Sequence, residues 1–397
     1  MILYIAGGAC GLENEEMLFD YNRWRLLSYW AILWKEFGTD IGFNFYKEKI
    51  LEWETLPEDV KKADRLKGVP TKIFIDSGAF SIYKRFSLHS KHYMATKTEE
   101  EIRKECYAHY ETEEFWQYVD LYAQFIKDNQ KFIEGYVNVD VIDEPELTYR
   151  VQNYLVNTHK LKPIPVIHSG NPLDRLERYL SDGYDYIGIG GMGHKLSFNQ
   201  YCAWVDGIFN LVCDPKTALP RVKLHGFGMT TNYLLFRYPW YSVDSTTWKS
   251  EARYGKIFVP VVKNGKWDFF QRPMLVSISS RRKGKGDFFM GFDKISVAAR
   301  KNVLRWLEEL NLPLGEVEYK KVDASYKPIP PNERWVGNVI DEENKRWLEI
   351  VIKSGVRSDL ILRQTANAHY YWRLNQEALL EWPAPFKHME KLGLRFF

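Results

Sequence analysis

The stretch "KIFIDSGAFS", residues 72–81, is a short apolar run that stops at an aspartate, a serine and a glycine. It is too short for a helix and lacks polar alternation, which is typical of a strand buried on both faces of a parallel sheet. Six further runs are rich in Val and Ile and end in Gly, Asp, Ser or His: residues 2–8, 135–143, 164–170, 184–191, 221–228 and 241–247. The sequence therefore predicts seven parallel strands.

Helix-like segments separate these runs. Apolar residues recur at helical spacing in residues 112–129, 171–183 and 197–212, with Thr112 placed to begin the first and Asn171 to cap the second. The alternation of strands and helices predicts an α/β fold of the (β/α)8 TIM-barrel class rather than a doubly wound sheet. The eighth strand is left open, since residues 256–262 could form it or could be a hairpin arm outside the barrel.

Two regions depart from this alternation. Residues 9–70 are Trp-rich and predict a helical insertion after the first strand. Beyond residue 262, a small antiparallel piece is followed by predicted helices at residues 296–310, 343–355 and 360–382, which makes a mostly helical C-terminal extension. We therefore predict a catalytic barrel domain over residues 1–262 and an extension over residues 263–397 that contacts nucleic acid.

The composition is that of a soluble globular protein, with 45% apolar and 27% charged residues and a net charge of +3. Cys10, Cys106, Cys202 and Cys213 lie far apart and form no CxxC pair, so neither a disulfide framework nor a thiolate zinc site is indicated. The first residues lack a basic segment, and no run of 18 apolar residues occurs. We therefore expect a cytoplasmic protein with no membrane partner.

Polar residues and glycines lie where the predicted strands end. In a barrel these ends build one open face, so the side chains should lie close together. A single aspartate after a strand is more often a helix cap, but several carboxylates at one mouth repel one another and suggest a ligand, a metal or a shared proton. The strand-end residues are Asp76, Ser77, Asp140, Asp143, His168, Ser169, Gly190, Gly191, His225, Gly226, Asp244 and Ser245.

Two kinds of chemistry fit these residues. A divalent-metal hydrolase could use the carboxylates and histidines as ligands, namely Asp76, Asp140, His168, His225 and Asp244. Alternatively, one aspartate could attack a glycosidic carbon while another transfers the proton, without a metal. The chain has no HxH or HExxH motif. That favours the second interpretation.

The order of these motifs resembles that of the tRNA-guanine transglycosylase superfamily over about residues 70 to 250. "DSGAFS" is similar to the family's DSGG(F/Y)Q, "VIHSG" to VQGG, "IGGMGHK" to GGLAVGE and "HGFG" to MGVG. "VNVDVIDEPE" and "YSVDSTTW" occupy the places of the family's base-reading and nucleophilic aspartates. His168 replaces the family's glutamine, no cysteine follows Cys213 to form the family's zinc motif, and the family's first strand is missing or replaced.

These departures make the chain most similar to the DNA-modifying branch of the DpdA type, found in phages and bacterial genomic islands. The resemblance implies that guanine in DNA is exchanged for a 7-deazaguanine, such as 7-cyano-7-deazaguanine. Asp244 would be the nucleophile and Asp76 the acid/base residue, with no metal and no ATP. Guanine exchange in tRNA is the alternative, and a metal-dependent hydrolase is less favoured.

The resemblance also implies the partners and their contacts, with DNA (or tRNA) and the free 7-deazaguanine base as substrates. Since the tRNA relatives dimerise partly through their zinc region, we expect a monomer. The base-binding residues would be Asp140 with Asp143 as its rival, Ser77, Gly78, Phe80, His168, Gly190, Gly191, Met192, His225 and Gly226. The candidate phosphate contacts are Arg253 and, in the basic stretch "SSRRKGKGD", Arg281, Arg282, Lys283 and Lys285.

Overall fold

The computed structural model describes residues 1–8, 12–21, 24–63, 73–91, 98–191, 196–229, 231–279, 291–379 and 381–386. The described chain forms two compact units. Residues 1–245 together with residues 381–386 make the first unit, and residues 246–379 make the second. Among the described residues, no helix has the length and apolar character needed to cross a membrane.

The first unit is α/β and contains an eight-stranded sheet in which all paired strands are parallel. The order is β4-β3-β2-β1-β8-β7-β6-β5. The strands are β1 (Ile2–Ala6), β2 (Arg25–Ser28), β3 (Ile73–Asp76), β4 (Ile133–Tyr136), β5 (Val166–His168), β6 (Tyr186–Gly190), β7 (Lys223–Gly226) and β8 (Ser242–Ser245). All seven strands predicted from the sequence are present in this sheet.

The two end strands of this order, β4 and β5, approach each other without forming a paired ladder. A single parallel bridge joins Val137 to Ile164 just outside them. It is accompanied by a hydrogen bond from the Asn138 amide to the Ile164 carbonyl (2.9 Å) and one from the Ile164 amide to the Tyr136 carbonyl (2.8 Å). The sheet is therefore curled but open, with the strand order of a TIM-like fold.

Helices follow the strands along the chain. The predicted helices at residues 112–129 and 197–212 are confirmed, and Thr112 and Ser197 cap them as N-cap residues. The helices of this unit are α1 (Leu12–Tyr21), α2 (Tyr29–Leu33), α3 (Thr39–Thr55), α4 (Glu58–Ala63), α5 (Ala79–Lys91), α6 (Glu99–Ala108), α7 (Glu113–Asn129), α8 (Pro145–Asn157), α9 (Asp174–Ser181), α10 (Phe198–Val212) and α11 (Asn232–Arg237).

The eighth strand lies in the segment that the sequence predicts as a helical insertion. Arg25–Ser28 forms β2 and pairs with β1 on one side and β3 on the other. Residues 256–262 do not form it, because Lys256–Val259 pairs antiparallel within the second unit, and the alternative that places them outside the barrel sheet is the one observed. The insertion is thus not purely helical, and a buried arginine at the start of β2 conceals the strand's apolar pattern.

The sheet separates two apolar layers. The inward-facing side chains of the strands form one cluster that includes Tyr4, Leu26, Phe74 and Val166. A second cluster lies between the strands and the helices and includes Leu27, Ile75 and Tyr122. Because side chains alternate along a strand, each strand supplies both layers, and this fixes which residues point toward the sheet's interior.

Arg25 and Glu15 form an ion pair whose side chains are both fully buried. The Arg25 guanidinium donates to both Glu15 carboxylate oxygens (2.9 and 3.1 Å), to the Ile5 carbonyl (2.7 Å) and to the Gly7 carbonyl (2.8 Å). These bonds connect β2 to α1 and to the carboxyl end of β1. The pair therefore holds in place a strand that carries part of the site described below.

The second unit contains short antiparallel sheets and three helices. The predicted helix at residues 343–355 is wrong, since Lys345–Lys353 is a strand whose β-branched run 350–352 favours extended backbone. The strands of the second unit are β9 (Lys256–Val259), β10 (Val261–Lys263), β11 (Lys266–Asp268), β12 (Met274–Ser277), β13 (Glu316–Asp323), β14 (Glu333–Trp335) and β15 (Lys345–Lys353). The helices of this unit are α12 (Thr247–Arg253), α13 (Val297–Glu309) and α14 (Leu360–Glu377). The extension is therefore mixed rather than mostly helical.

Replacing Arg25 by Met should lower the free energy of unfolding of the first unit by about 3 kcal/mol, because it removes the guanidinium that forms an ion pair with the buried Glu15 carboxylate. Chemical unfolding followed by tryptophan fluorescence measures this. The double variant Arg25→Met, Glu15→Met should recover part of the loss. An Arg25→Met variant as stable as the wild type would contradict the role given to this pair.

Candidate active site

The carboxyl ends of the parallel strands bring together five titratable residues predicted from the sequence. Asp76 ends β3, His168 ends β5, and His225 and Asp244 lie in β7 and β8. Asp140 follows β4 by four residues. The charges of Asp140 and Asp244 both act on Asp76, so the three carboxylates share one site. The structure thus assembles residues that are up to 168 positions apart in the sequence (244 minus 76).

The surroundings of Asp76 raise the pKa of its carboxyl. Burial is the largest cause, and together with the charges of Asp140 and Asp244 it raises the pKa of this carboxyl to about 7. The backbone N–H of Gly78 donates to Oδ2 at 3.1 Å and lowers the pKa in part. A carboxyl that titrates near neutral pH can both give and accept a proton under ordinary conditions.

Asp244 is held through one of its two oxygens. The residue is 7% exposed, and its Oδ1 accepts a hydrogen bond from the Gly228 backbone N–H at 2.9 Å. The Nε2 of His225 lies 3.4 Å from the same oxygen. The carboxylate is therefore oriented through Oδ1, and Oδ2 has no hydrogen-bond donor among the described residues.

Asp140 and His168 form a buried pair. The Nε2 of His168 lies 2.8 Å from Oδ2 of Asp140, and both side chains are less than a tenth exposed. Asn171 fixes the end of β5, because its Oδ1 accepts the His168 amide at 3.0 Å. The sequence predicts Asn171 as a helix cap, but α9 begins only at Asp174. No described residue donates to Oδ1 of Asp140.

Two glycines beside these residues have conformations that other residues avoid. Gly191 has φ +84°, and a Cβ there would lie 2.9 Å from the Ser169 hydroxyl, which donates to the Gly191 carbonyl. Gly78 has φ +85°, and a Cβ there would lie 2.4 Å from Cβ of Trp30. Gly78 is thus required by the turn, by packing on Trp30 and by its N–H to Asp76, rather than only by clearance for a ligand.

Phe80 and Ser77 of the motif "DSGAFS" differ in solvent exposure. Phe80 is 48% exposed in the first turn of α5, with the Lys84 ammonium 4.3 Å above its ring. It is therefore a surface side chain and not part of the core. Ser77 is fully buried, and its carbonyl accepts a hydrogen bond from the Tyr118 hydroxyl at 2.6 Å.

Three further predicted positions lie around the strand ends. Gly190 leaves room for His168, whose Cδ2 would lie 3.2 Å from an added Cβ. At Gly226, on the opposite face of β7 from His225, an added Cβ would lie 3.3 Å from the buried side chains of Met229 and Trp240. The surroundings of Gly226 are therefore the core. Asp143 adopts φ 71° in the turn after Asp140. Of the two rival aspartates, Asp140 is the one that contacts His168.

The predicted phosphate contacts are placed only in part. Arg253 is exposed at the end of α12 in the second unit. The other predicted phosphate contacts lie outside the described residues: Arg281, Arg282, Lys283 and Lys285. Met192, the base-binding candidate of the "IGGMGHK" motif, also lies outside them.

Sequence reasoning missed Ser28, which lies opposite Asp76 in the register of β2 and β3. Its hydroxyl is close enough to lower the pKa of Asp76, although no hydrogen bond of normal geometry joins them and its oxygen is buried. It also missed Ser242, whose hydroxyl lies 2.7 Å from Nδ1 of His225, and Tyr186, whose hydroxyl lies 2.6 Å from that of Ser242. No motif marks these residues. The alternation of inward-facing positions along β6 and β8 would have found the last two once the strands were known.

Comparison with protein-family models, with curated proteins and with solved structures finds no match for this chain. Within the described residues, no group of three or more His, Cys, Asp or Glu side chains is arranged to hold a metal ion. The geometry of the three carboxylates and two histidines is therefore what bears on function.

Replacing Asp76 by Asn should stabilise the protein at high pH. The folded-state pKa of Asp76 is raised from 3.8 to about 7, so the native state is favoured below pH 3.8 and loses stability as the pH rises toward 7. Above pH 7 the buried charge costs up to about 4 kcal/mol, which asparagine avoids.

Thermal unfolding at pH 8 and at pH 4 measures this difference. The variant should melt at a higher temperature than the wild type at pH 8, and the gap should shrink at pH 4. Asp120→Asn is a matched control, since Asp120 is half-exposed and contacts His159 among the helices. A gap that is equal at both pH values would show that Asp76 does not titrate near 7.

Proposed function

We propose that this protein is a transglycosylase that exchanges guanine in DNA for a 7-deazaguanine through a covalent intermediate on Asp244. The observation that carries the proposal is that two carboxylates with different protonation and hydrogen bonding lie in one site at the carboxyl ends of the strands. Asp76 has a pKa of about 7, and Asp244 has one oxygen held and the other open. Base exchange at a nucleoside needs one nucleophile and one group that both gives and takes a proton.

The two half-reactions use the same two residues. Asp244 Oδ2 attacks C1′ as the C1′–N9 bond of guanine breaks, and Asp76 gives its proton to the departing base. The incoming 7-deazaguanine then loses its N9 proton to Asp76, and N9 displaces the carboxylate from C1′. One glycosidic bond replaces another, and Asp76 is protonated again by the incoming base, so neither ATP nor a redox partner is needed.

The remaining residues suit recognition of a purine. Asp140 Oδ1 is free to accept from N1–H and the 2-amino group of guanine, while His168 holds Oδ2 at 2.8 Å. Gly190 and Gly191 present backbone without a Cβ on the adjacent strand end. The ring of Phe80 is 48% exposed, and stacking on a base would use its exposed part.

The proposed fold is a closed (β/α)8 barrel. The parallel bridge between Val137 and Ile164 supports closure, because it lies between the two end strands of the eight-strand order. In such barrels the reacting groups lie at the carboxyl ends of the strands. A base inside a duplex cannot reach a buried carboxylate, so the target nucleotide must be flipped out or single-stranded.

DNA is proposed ahead of tRNA because the motifs are most similar to the DNA-modifying branch. Incubation of the protein with guanine-labelled DNA and guanine-labelled tRNA, each with 7-cyano-7-deazaguanine, tests the choice. We expect labelled guanine to be released from DNA. Release from tRNA alone would make the tRNA exchange the function, and loss of release on addition of a chelator would favour a metal-dependent enzyme.

Asp244→Asn should abolish both base release and any covalent adduct with DNA, because an amide is a poor nucleophile. Asp76→Asn should slow release by about 100-fold or more through loss of proton transfer. Asp140→Asn should weaken base binding. Asp120→Asn provides the matched control, since it changes an Asp–His contact of the same 2.8 Å length outside the site. Adduct formation by Asp244→Asn would overturn the nucleophile assignment.

A further inference from the structure

His225 is fully buried on the inward face of β7. Its ring stacks on Phe74 with centroids 4.9 Å apart and contacts Phe227 edge-on at 4.4 Å. Aromatic rings cannot satisfy the hydrogen-bonding needs of a buried imidazole, so its two nitrogens must find polar partners. The partners of Nδ1 and Nε2 decide what the residue does.

The Nδ1 side leads to a short chain of hydroxyls. The Ser242 Oγ lies 2.7 Å from Nδ1, and the Tyr186 hydroxyl lies 2.6 Å from the same Oγ. Burial raises the pKa of Tyr186, so its hydroxyl keeps its proton. Within the described residues Ser242 is the only hydrogen-bond partner of that hydroxyl. A buried hydroxyl proton needs an acceptor, so we assign Tyr186 as the donor to Ser242 and Ser242, with its single proton, as the donor to Nδ1.

This direction leaves the ring proton on Nε2, which faces Oδ1 of Asp244 at 3.4 Å. That separation is longer than a normal hydrogen bond, and Nε2 has no other partner in the described structure. Contacts of this kind in an unliganded site often shorten when substrate binds. The opposite tautomer would place a nitrogen lone pair against the carboxylate, which is unfavourable.

We propose that His225 is a positioning residue that donates its Nε2 proton to Oδ1 of Asp244, with its tautomer set by Ser242 and Tyr186. The assignment rests on the proposed function for its catalytic meaning, but the tautomer itself does not. Together with the Gly228 N–H, the imidazole makes two donors to one oxygen. The other oxygen, Oδ2, is thereby presented to the reacting carbon.

The two donors matter most when the glycosyl ester breaks. In the ester the Asp244 carboxylate is neutral, and its charge returns as the incoming base takes the sugar. Donors already placed at Oδ1 stabilise that returning charge, which makes the carboxylate a better leaving group. Loss of the imidazole donor should slow breakdown of the adduct more than its formation, so a larger fraction of enzyme should carry the adduct.

The tautomer is tested without any assay of activity. Nitrogen-15 NMR of the full chain labelled at histidine should show His225 with its proton on Nε2, assigned by the loss of its signals in His225→Phe. Ser242→Ala should shift the Nδ1 signal strongly and reduce the Nε2–H population. A proton resident on Nδ1 of the wild-type ring would overturn the proposal, whether or not the protein exchanges bases.

The catalytic effect is tested with Ser242→Ala and Tyr186→Phe, which keep the imidazole in place. Loss of one hydrogen bond of the chain should slow adduct breakdown by about tenfold and raise the trapped adduct fraction in single-turnover reactions with DNA. Tyr4→Phe is the matched control, because it removes a buried hydroxyl from the same interior that instead donates to Glu134. Equal adduct fractions in Ser242→Ala and Tyr4→Phe would overturn the role of the chain. Absence of any adduct in the wild type would instead contradict the proposed function.

Discussion

Electrostatic repulsion among Asp76, Asp140 and Asp244 is the constraint around which the site is organised. Three carboxylates held at one site cannot all be ionised and buried at little cost, and the pKa of Asp76 is raised first by its own burial and then by the charges of the other two. The other two are each given a fixed donor, His168 for Asp140 and the Gly228 N–H for Asp244. The unequal surroundings separate the carboxylates into one that titrates near neutrality and two with oriented oxygens.

The same arrangement explains why this end of the sheet is built from unusual backbone. Gly78 takes a positive φ and contacts Trp30, and its N–H partly offsets the burial of Asp76. Opposite it, β2 is anchored by the buried pair of Arg25 and Glu15, and Ser28 at its end faces Asp76. A site of this kind holds buried charge at the expense of stability, as is common for sites that carry out chemistry.

The sequence allowed seven of the eight strands to be predicted, because each is a short run rich in Val and Ile that ends in a polar residue. It concealed β2, because a four-residue strand that begins with a buried arginine and is followed by tyrosine and tryptophan resembles an amphipathic helix. It also concealed β15, where the β-branched run 350–352 is short and charged residues stand on both sides of it. The proximity of Asp76, Asp140 and Asp244 could be predicted, because all three lie at or just after the ends of predicted strands. The contacts of His225 could not, because they depend on which face of β7 and β8 turns inward.

The central claim is that Asp76, which is buried and shares a site with two other carboxylates, titrates near neutral pH. Carbon-13 NMR of the aspartate carboxyl groups, with Asp76 assigned by comparison with Asp76→Asn, measures this directly. We expect a midpoint near 7 that falls when Asp140 or Asp244 is replaced by Asn. A midpoint near the ordinary value of 3.8, unchanged by either replacement, would contradict it.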